Sequence, residues 1–230
     1  MHDFSAFSAE DFERNGIAFI PSLLDGARTF SLATAFHNCK GGGGKRHLLD
    51  HPVVIDVLES ASIQKLIARV LSARAFAFKA SLFDKHDQAN WLVSWHRDVF
   101  IPVSRRWEIA GWSTWTVKDG VDYVRPPREV LDRIVALRIN IDPCDAEDGP
   151  LRVLPGSHRI EGAASADNAM ECLGDSGDAW LMSPLIWHAS SKLVRSTRRR
   201  VLHIEFADFA LPAGLCWHRQ IAMGLIDVNH

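Results

Sequence analysis

In the stretch Ser94-Trp95-His96-Arg97-Asp98, an imidazole and a carboxylate stand two residues apart. Successive side chains of a β-strand point to opposite faces, so His96 and Asp98 project together if this stretch is a strand. Ser94 and Asn90 then share their face, while Trp95 and Arg97 take the other. A neutral imidazole beside a carboxylate supplies two arms of a 2-His-1-carboxylate site, which holds ferrous iron and keeps coordination positions open. The same pair also reads as an ordinary hydrogen-bonded contact, and His203-Ile204-Glu205 repeats the alternation. Spacing alone leaves all three readings open.

A third arm must come from a distant strand. His188 is the candidate, expected to end the apolar strand that begins near Asp178-Ala179-Trp180 and to turn its ring inward. Arg199 follows eleven residues later, at the head of another strand. If the two strands form an antiparallel pair across the loop 190–197, Arg199 comes close to the metal. Its guanidinium stays ionised and grips a carboxylate through two parallel hydrogen bonds. Ser190 adds a hydroxyl to the same carboxylate, and Asn90 is a further candidate contact for cosubstrate or substrate. The run Arg198–Arg200 also reads as a solvated basic turn, and alternation lets only one of Arg199 and Arg200 face inward.

These side chains need rigid elements beneath them. Ser8 caps a short helix that stops at Asn15-Gly16, and a strand Ile17–Ile20 ends at Pro21. A second helix starts near Gly26. Val54, Leu58, Ile63, Leu66, Ile67 and Val70 form a helical stripe with a break near Ser60. From residue 74 the texture changes to short β-branched or aromatic runs bounded by Gly, Pro, Asp or Asn, as in an all-β sandwich or barrel. The expected organisation is one domain over 1–230, with a mainly helical flank (1–73) and a β core (74–210). Residues 100–130 form an irregular insertion carrying Trp107, Trp112 and Trp115, three of the eight tryptophans. It reads as a lid, its tryptophans either stacking on a substrate or packing the lid down. The run Gly41–Gly44 before Lys45 lacks the following Ser or Thr and the leading strand of a phosphate loop, so it reads as a flexible loop.

The bulk numbers narrow the partners. With 230 residues, 47 % of them hydrophobic, the chain can remove roughly 70 % of its unfolded surface from water. A net charge of -2 gives no pull toward nucleic acid or an anionic membrane. No apolar run is long enough to span a bilayer, and the polar N-terminus lacks a secretory h-region. Cys39, Cys144, Cys172 and Cys216 are scattered without a C-x-x-C pair, which points to reduced thiols in a cytoplasmic protein. The expected partner is a small-molecule substrate; oligomeric state is not legible.

Together, His96-x-Asp98, His188, Arg199 and the phrase Gly149-Pro-Leu-Arg-Val-Leu-Pro-Gly-Ser-His-Arg159 resemble the phytanoyl-CoA dioxygenase family of iron(II)/2-oxoglutarate oxygenases. The likeness runs from Phe12 to Asp208. It implies a mainly β fold with flanking helices, built on a double-stranded β-helix (jelly roll, cupin-like) core. It implies that His96, Asp98 and His188 bind iron(II), and that Arg199, helped by Ser190, binds the distal carboxylate of 2-oxoglutarate. The implied activity is a dioxygenase that uses O2 to hydroxylate a C–H bond of a small organic substrate, releasing succinate and CO2. Halogenating relatives carry a small residue where Asp98 stands, so the carboxylate implies hydroxylation. One departure stands out: Arg97 occupies the place of the glutamine usual between the first two ligands. Two other classes fit the residues, a cupin-like metalloenzyme that does not use 2-oxoglutarate and a non-catalytic jelly-roll binding module. In the first of these Arg199 would be a surface residue.

Overall fold

The computed structural model describes residues 7–38, 44–162 and 165–224. Cys39, Gly41–Gly43 of the glycine run and the first six residues lie outside that range. Five α-helices are present among the described residues: α1 (Ala9–Asn15), α2 (Gly26–Ala35), α3 (Pro52–Leu58), α4 (Ala61–Val70) and α5 (Arg128–Leu131). The strands begin with β1 (Ile17–Ile20), β2 (Phe76–Lys85), β3 (Val93–His96), β4 (Ile101–Val103), β5 (Ser113–Lys118), β6 (Val121–Arg125) and β7 (Val135–Asn140). They continue with β8 (Leu151–Val153), β9 (Met170–Cys172), β10 (Ala179–Met182), β11 (His188–Ser190), β12 (Arg199–Ala207) and β13 (Ile221–Ala222). The helix signals act as read: the Ser8 hydroxyl accepts from Asp11 N, and Gly16 closes α1 in the left-handed conformation. The stripe over 54–70 is two helices, broken at Glu59-Ser60.

A six-stranded sheet in the order β1-β10-β7-β12-β2-β13 faces a four-stranded sheet in the order β3-β11-β8-β9, all pairs antiparallel. This is the expected jelly roll with flanking helices. The outer face of the large sheet, with Leu82, Leu137, Leu181, Leu202 and Ile204, packs under α2, α3 and α4. Those helices contribute Leu32, Val54, Ile63 and Leu66. Because β12 alternates strictly, Leu202 and Ile204 facing the helices forces Arg199, Val201, His203 and Glu205 onto the inner face.

Two expectations need correction. Residues 100–130 are not irregular: β4, β6 and β5 form a three-stranded antiparallel sheet. Trp112 and Trp115 pack against a cluster that includes Leu211, Leu215 and Trp217, so they seat this unit, and Trp107 is left largely exposed. His188 does not end the apolar strand; β10 closes at Met182, and His188 opens β11 in the other sheet. The strands bearing His188 and Arg199 are therefore not a hairpin pair. They belong to opposed sheets, and Arg199 reaches the site from across the sandwich.

The phrase Gly149–Arg159 is where the two sheets are fastened. Gly149 has φ +58°, and a Cβ there would lie 2.5 Å from the Ser191 carbonyl oxygen and 2.7 Å from that of Lys192. Its own carbonyl accepts from Arg199 Nη1 at 2.7 Å. The connection between β11 and β12 is tied down beside it: Arg195 pairs with Asp148 at 2.8 Å, and Thr197 donates to the same carboxylate. Gly149→Ala should therefore destabilise the protein by roughly 1–3 kcal/mol from backbone strain alone, before any clash with residues 191–192. Chemical denaturation will measure it, and an unchanged midpoint would show that the close approach is dispensable.

Candidate metal centre

His96 on β3 and His188 on β11 are direct partners across one antiparallel pair, with ring centroids 4.1 Å apart. Asp98 follows β3 and is held by its backbone N–H donating to the Pro184 carbonyl at 2.8 Å. His96 Nε2 lies 3.8 Å from one Asp98 oxygen, and His188 Nε2 lies 3.6 Å from the other. These separations are too long for hydrogen bonds, yet all three ligand atoms lie within 4.8 Å of one another. They are close enough together for one shared ion to draw them in as ligands.

The tautomers agree with that use. His96 Nδ1 is 2.9 Å from the Ser94 carbonyl oxygen, and His188 Nδ1 is 2.9 Å from that of Ile186. A carbonyl only accepts, so each Nδ1 must carry the proton and each Nε2 lone pair faces Asp98. Burial pushes the His188 imidazole down to about 4, which leaves it neutral near pH 7. Burial alone would raise Asp98, but the electrostatic pull of the facing His188 imidazole and of the Lys79 ammonium outweighs it and holds the carboxyl below the ordinary carboxylate range.

The rival pair is present too. Asp98, His203 and Glu205 form a second group of possible ligands that shares Asp98 with the first. Lys79 decides between them. Its ammonium sits 2.5 Å from Glu205 Oε1, and although burial opposes its charge, Glu205 raises it above the ordinary lysine range. A cation therefore already occupies that carboxylate, while His96, Asp98 and His188 have no such competitor. His203, whose ring nitrogens make no hydrogen bond, lies 3.5 Å from Glu205 and 3.9 Å from Asp98 and stands behind the site.

A cavity opens from the three ligands along the inner face of the large sheet, and Arg199, Ser190, Lys85 and Arg138 line it. Arg199 is 2 % exposed and points in; Arg200 points the other way, pairing with Asp142 and donating to the Ala33 carbonyl in α2. Arg199 Nε has no hydrogen-bond partner. Lys85, the cross-strand neighbour of Arg199, donates to Ser190 Oγ at 3.0 Å. Burial, with Arg199 and Arg138 adding to it, brings its amine down to about 7.

Asn90 does not join them. Its amide nitrogen donates to the Leu193 carbonyl and its oxygen accepts from Leu193 N, at 3.0 and 2.8 Å. It clamps the β11–β12 connection, and β3 starts only at Val93, so alternation does not carry back to residue 90. Arg97 faces away from the metal group, as expected. It donates to the Ser157 carbonyl at 2.8 Å and stacks over Trp187 at 5.0 Å. Ser157 Oγ in turn accepts from Trp187 N, next to His188, so Arg97 braces the ligand strands from outside. Lys85 and Arg138 were missed by sequence reading, although each alternates into the inner face of its strand as a charged residue among apolar ones.

A double-stranded β-helix whose opposed sheets converge two imidazoles and a carboxylate beside buried cations defines a class of metal-dependent enzyme scaffold. The sequence profile of phytanoyl-CoA dioxygenase matches residues 26–201, and the chain belongs to that family. Among solved structures it is similar to the non-heme alpha-ketoglutarate-dependent epimerase SnoN of nogalamycin biosynthesis, with a TM-score of 0.65 and 14 % identity over 87 % of this chain and 81 % of that one. It is similar to HygX from Streptomyces hygroscopicus, solved with nickel and 2-oxoglutarate, with a TM-score of 0.63 and 13 % identity over 90 % and 92 % of the two chains. AviO1 from Streptomyces viridochromogenes Tue57 gives 0.63 and 20 % identity over 93 % and 98 %. No curated protein sequence matches. At these identities the structural likeness speaks for the fold.

The His188 shift has a measurable consequence. Its folded value of about 4 lies below that of a free imidazole near 6.5, so the unfolded chain takes up the proton first. The stability of metal-free protein should hold above pH 6.5 and fall as the pH drops from there toward 4, by on the order of 3 kcal/mol. Urea unfolding at pH 7 and pH 4.5 should give a smaller difference for His188→Gln. An equal fall in both proteins would remove His188 as the cause.

Proposed function

We propose that the protein is an iron(II)- and 2-oxoglutarate-dependent oxygenase that hydroxylates a C–H bond of a small organic substrate. The observation that carries the reading is the pair of Nε2 lone pairs and the Asp98 carboxylate facing the same cavity as a buried, incompletely partnered guanidinium. His96, Asp98 and His188 would hold iron(II), and their crowding onto one side keeps the remaining positions for cosubstrate and dioxygen. When bound, iron(II) and 2-oxoglutarate would supply an oxidant from O2, with release of succinate and CO2.

The chain's own residues do the positioning. Arg199 would take the distal carboxylate of 2-oxoglutarate, with Ser190 and Lys85 beside it, so the keto acid end is aimed at the metal by geometry alone. Arg199, Ser190 and Lys85 are buried between the sheets, which strengthens each of these contacts. Asp98 fills the position that a halide would need, which favours hydroxylation over halogen transfer. The similarity to an epimerase keeps other oxidative outcomes within the reach of this scaffold. The test is succinate release measured across a small-molecule panel.

Asp98→Ala should abolish both metal retention and substrate-dependent succinate formation; retained turnover would show the ligand set to be misassigned. Arg199→Gln should weaken 2-oxoglutarate by roughly 100-fold, the value of a charged buried hydrogen bond. Under anaerobic conditions the iron-loaded protein should give a visible charge-transfer band with 2-oxoglutarate. No band would favour a cupin-like enzyme of another kind.

A pH dependence follows from Lys85. With its amine at about 7 in the free protein, Lys85 must gain a proton to meet a carboxylate at higher pH. Affinity for 2-oxoglutarate should therefore fall as the pH rises from 7 toward 9, and Lys85→Met should flatten that slope. A slope unchanged in the variant would exclude Lys85 from the cosubstrate site.

A further inference from the structure

Arg138 is the one charged side chain of the cavity that neither the metal group nor the Arg199 cluster explains. It is 7 % exposed, and its guanidinium makes no hydrogen bond or ion pair with any described residue. Its guanidinium lies over the face of Phe83, at 5.8 Å, and Asp98 acts on it only through space, without a bond. A buried cation without an acid or a carbonyl is costly, and it persists where a ligand completes it.

The register says where that ligand atom must be. Arg138 on β7 pairs across with His203 on β12, and His203 stands 3.9 Å from Asp98. Phe83 belongs to the next inner row, opposite Val201, and Arg199 to the row beyond it. Arg199 and the His203 row are four residues apart on β12, roughly 13 Å at the rise of a strand. The Arg138 side chain starts beside the metal group and leans over the middle row. It therefore covers the near end of any ligand that stretches from the metal to Arg199.

We propose that Arg138 is a second guanidinium for the cosubstrate, pairing with the carboxylate of the keto acid end while Arg199 holds the distal one. This rests on the oxygenase reading above and deepens it. A 2-oxo dicarboxylate carries two negative charges, and the cavity then offers each a separate arginine. Arg138 acts by binding and orienting; it carries no proton in the reaction.

The experiment compares two ligands on anaerobic, iron(II)-loaded protein by calorimetry and visible absorbance: 2-oxoglutarate, and 2-oxopentanoate, which keeps the keto acid but lacks the distal carboxylate. Arg138→Gln should weaken both ligands, roughly 30- to 100-fold each, the range of a lost charge-assisted hydrogen bond. Arg199→Gln should weaken 2-oxoglutarate alone. Arg138→Lys should recover part of the affinity, and iron content should match wild type in all variants. Equal 2-oxoglutarate affinity in Arg138→Gln and wild type overturns the proposal, as does a penalty that vanishes with 2-oxopentanoate. Wild-type protein that binds neither ligand overturns the oxygenase reading itself.

Discussion

Unbalanced charge buried on one face of a sheet governs this molecule. The inner face of the β2–β12–β7 region carries Lys79, Glu205, Arg199, Lys85 and Arg138 across three adjacent strands. The interior of a β-sandwich is a poor place for charge, so each group must find a partner, lose its proton or await a ligand. Lys79 and Glu205 satisfy each other. Lys85 gives way, its amine drawn down to about 7. Arg199 leans on the Gly149 carbonyl, and Arg138 rests on an aromatic face. The result is a cavity with positive charge along its length and a metal-binding group at one end.

That gradient explains why one of two geometrically similar ligand groups is open and the other closed. Asp98 belongs to both, and simple alternation makes His203–Glu205 as good a pair as His96–Asp98. The difference is electrostatic. Lys79 neutralises Glu205 from the neighbouring strand, whereas His96 and His188 turn neutral nitrogens toward Asp98 because backbone carbonyls hold their other nitrogens. Proton placement by the backbone, rather than by residue type, makes a ligand.

The phrase Gly149–Arg159 and Arg97 act as fasteners of the same site. Gly149 allows the chain to pass close to residues 191–192 and offers its carbonyl to Arg199; Ser157 fixes the backbone just before His188. Arg97 joins Ser157 from the far side of the metal strand. A long cation in that position reaches across the sheet to backbone carbonyls, so its service is to the ligand strands rather than to the cosubstrate. The three-stranded unit over 101–125 is seated by its own tryptophans and stands beside the site as a folded piece.

The sequence by itself determined the local matters. Helix caps, the break near Ser60, the all-β texture after residue 74 and the shared face of His96 and Asp98 all follow from short-range rules of periodicity and capping; the jelly roll itself came with the family likeness. His188 and Arg199 were legible as candidates from their places at strand ends, and the family likeness gave them roles; that they meet is something no local rule can supply. Only the tertiary structure decided which sheet His188 joins, that Arg199 and not Arg200 turns inward, and that Asn90 binds backbone. It alone revealed Lys85 and Arg138, because whether a charged residue on a strand meets water, an acid or an empty cavity depends on the opposite sheet. That sheet is assembled from residues around 93–96, 151–153, 170–172 and 188–190, and no window of sequence contains them together.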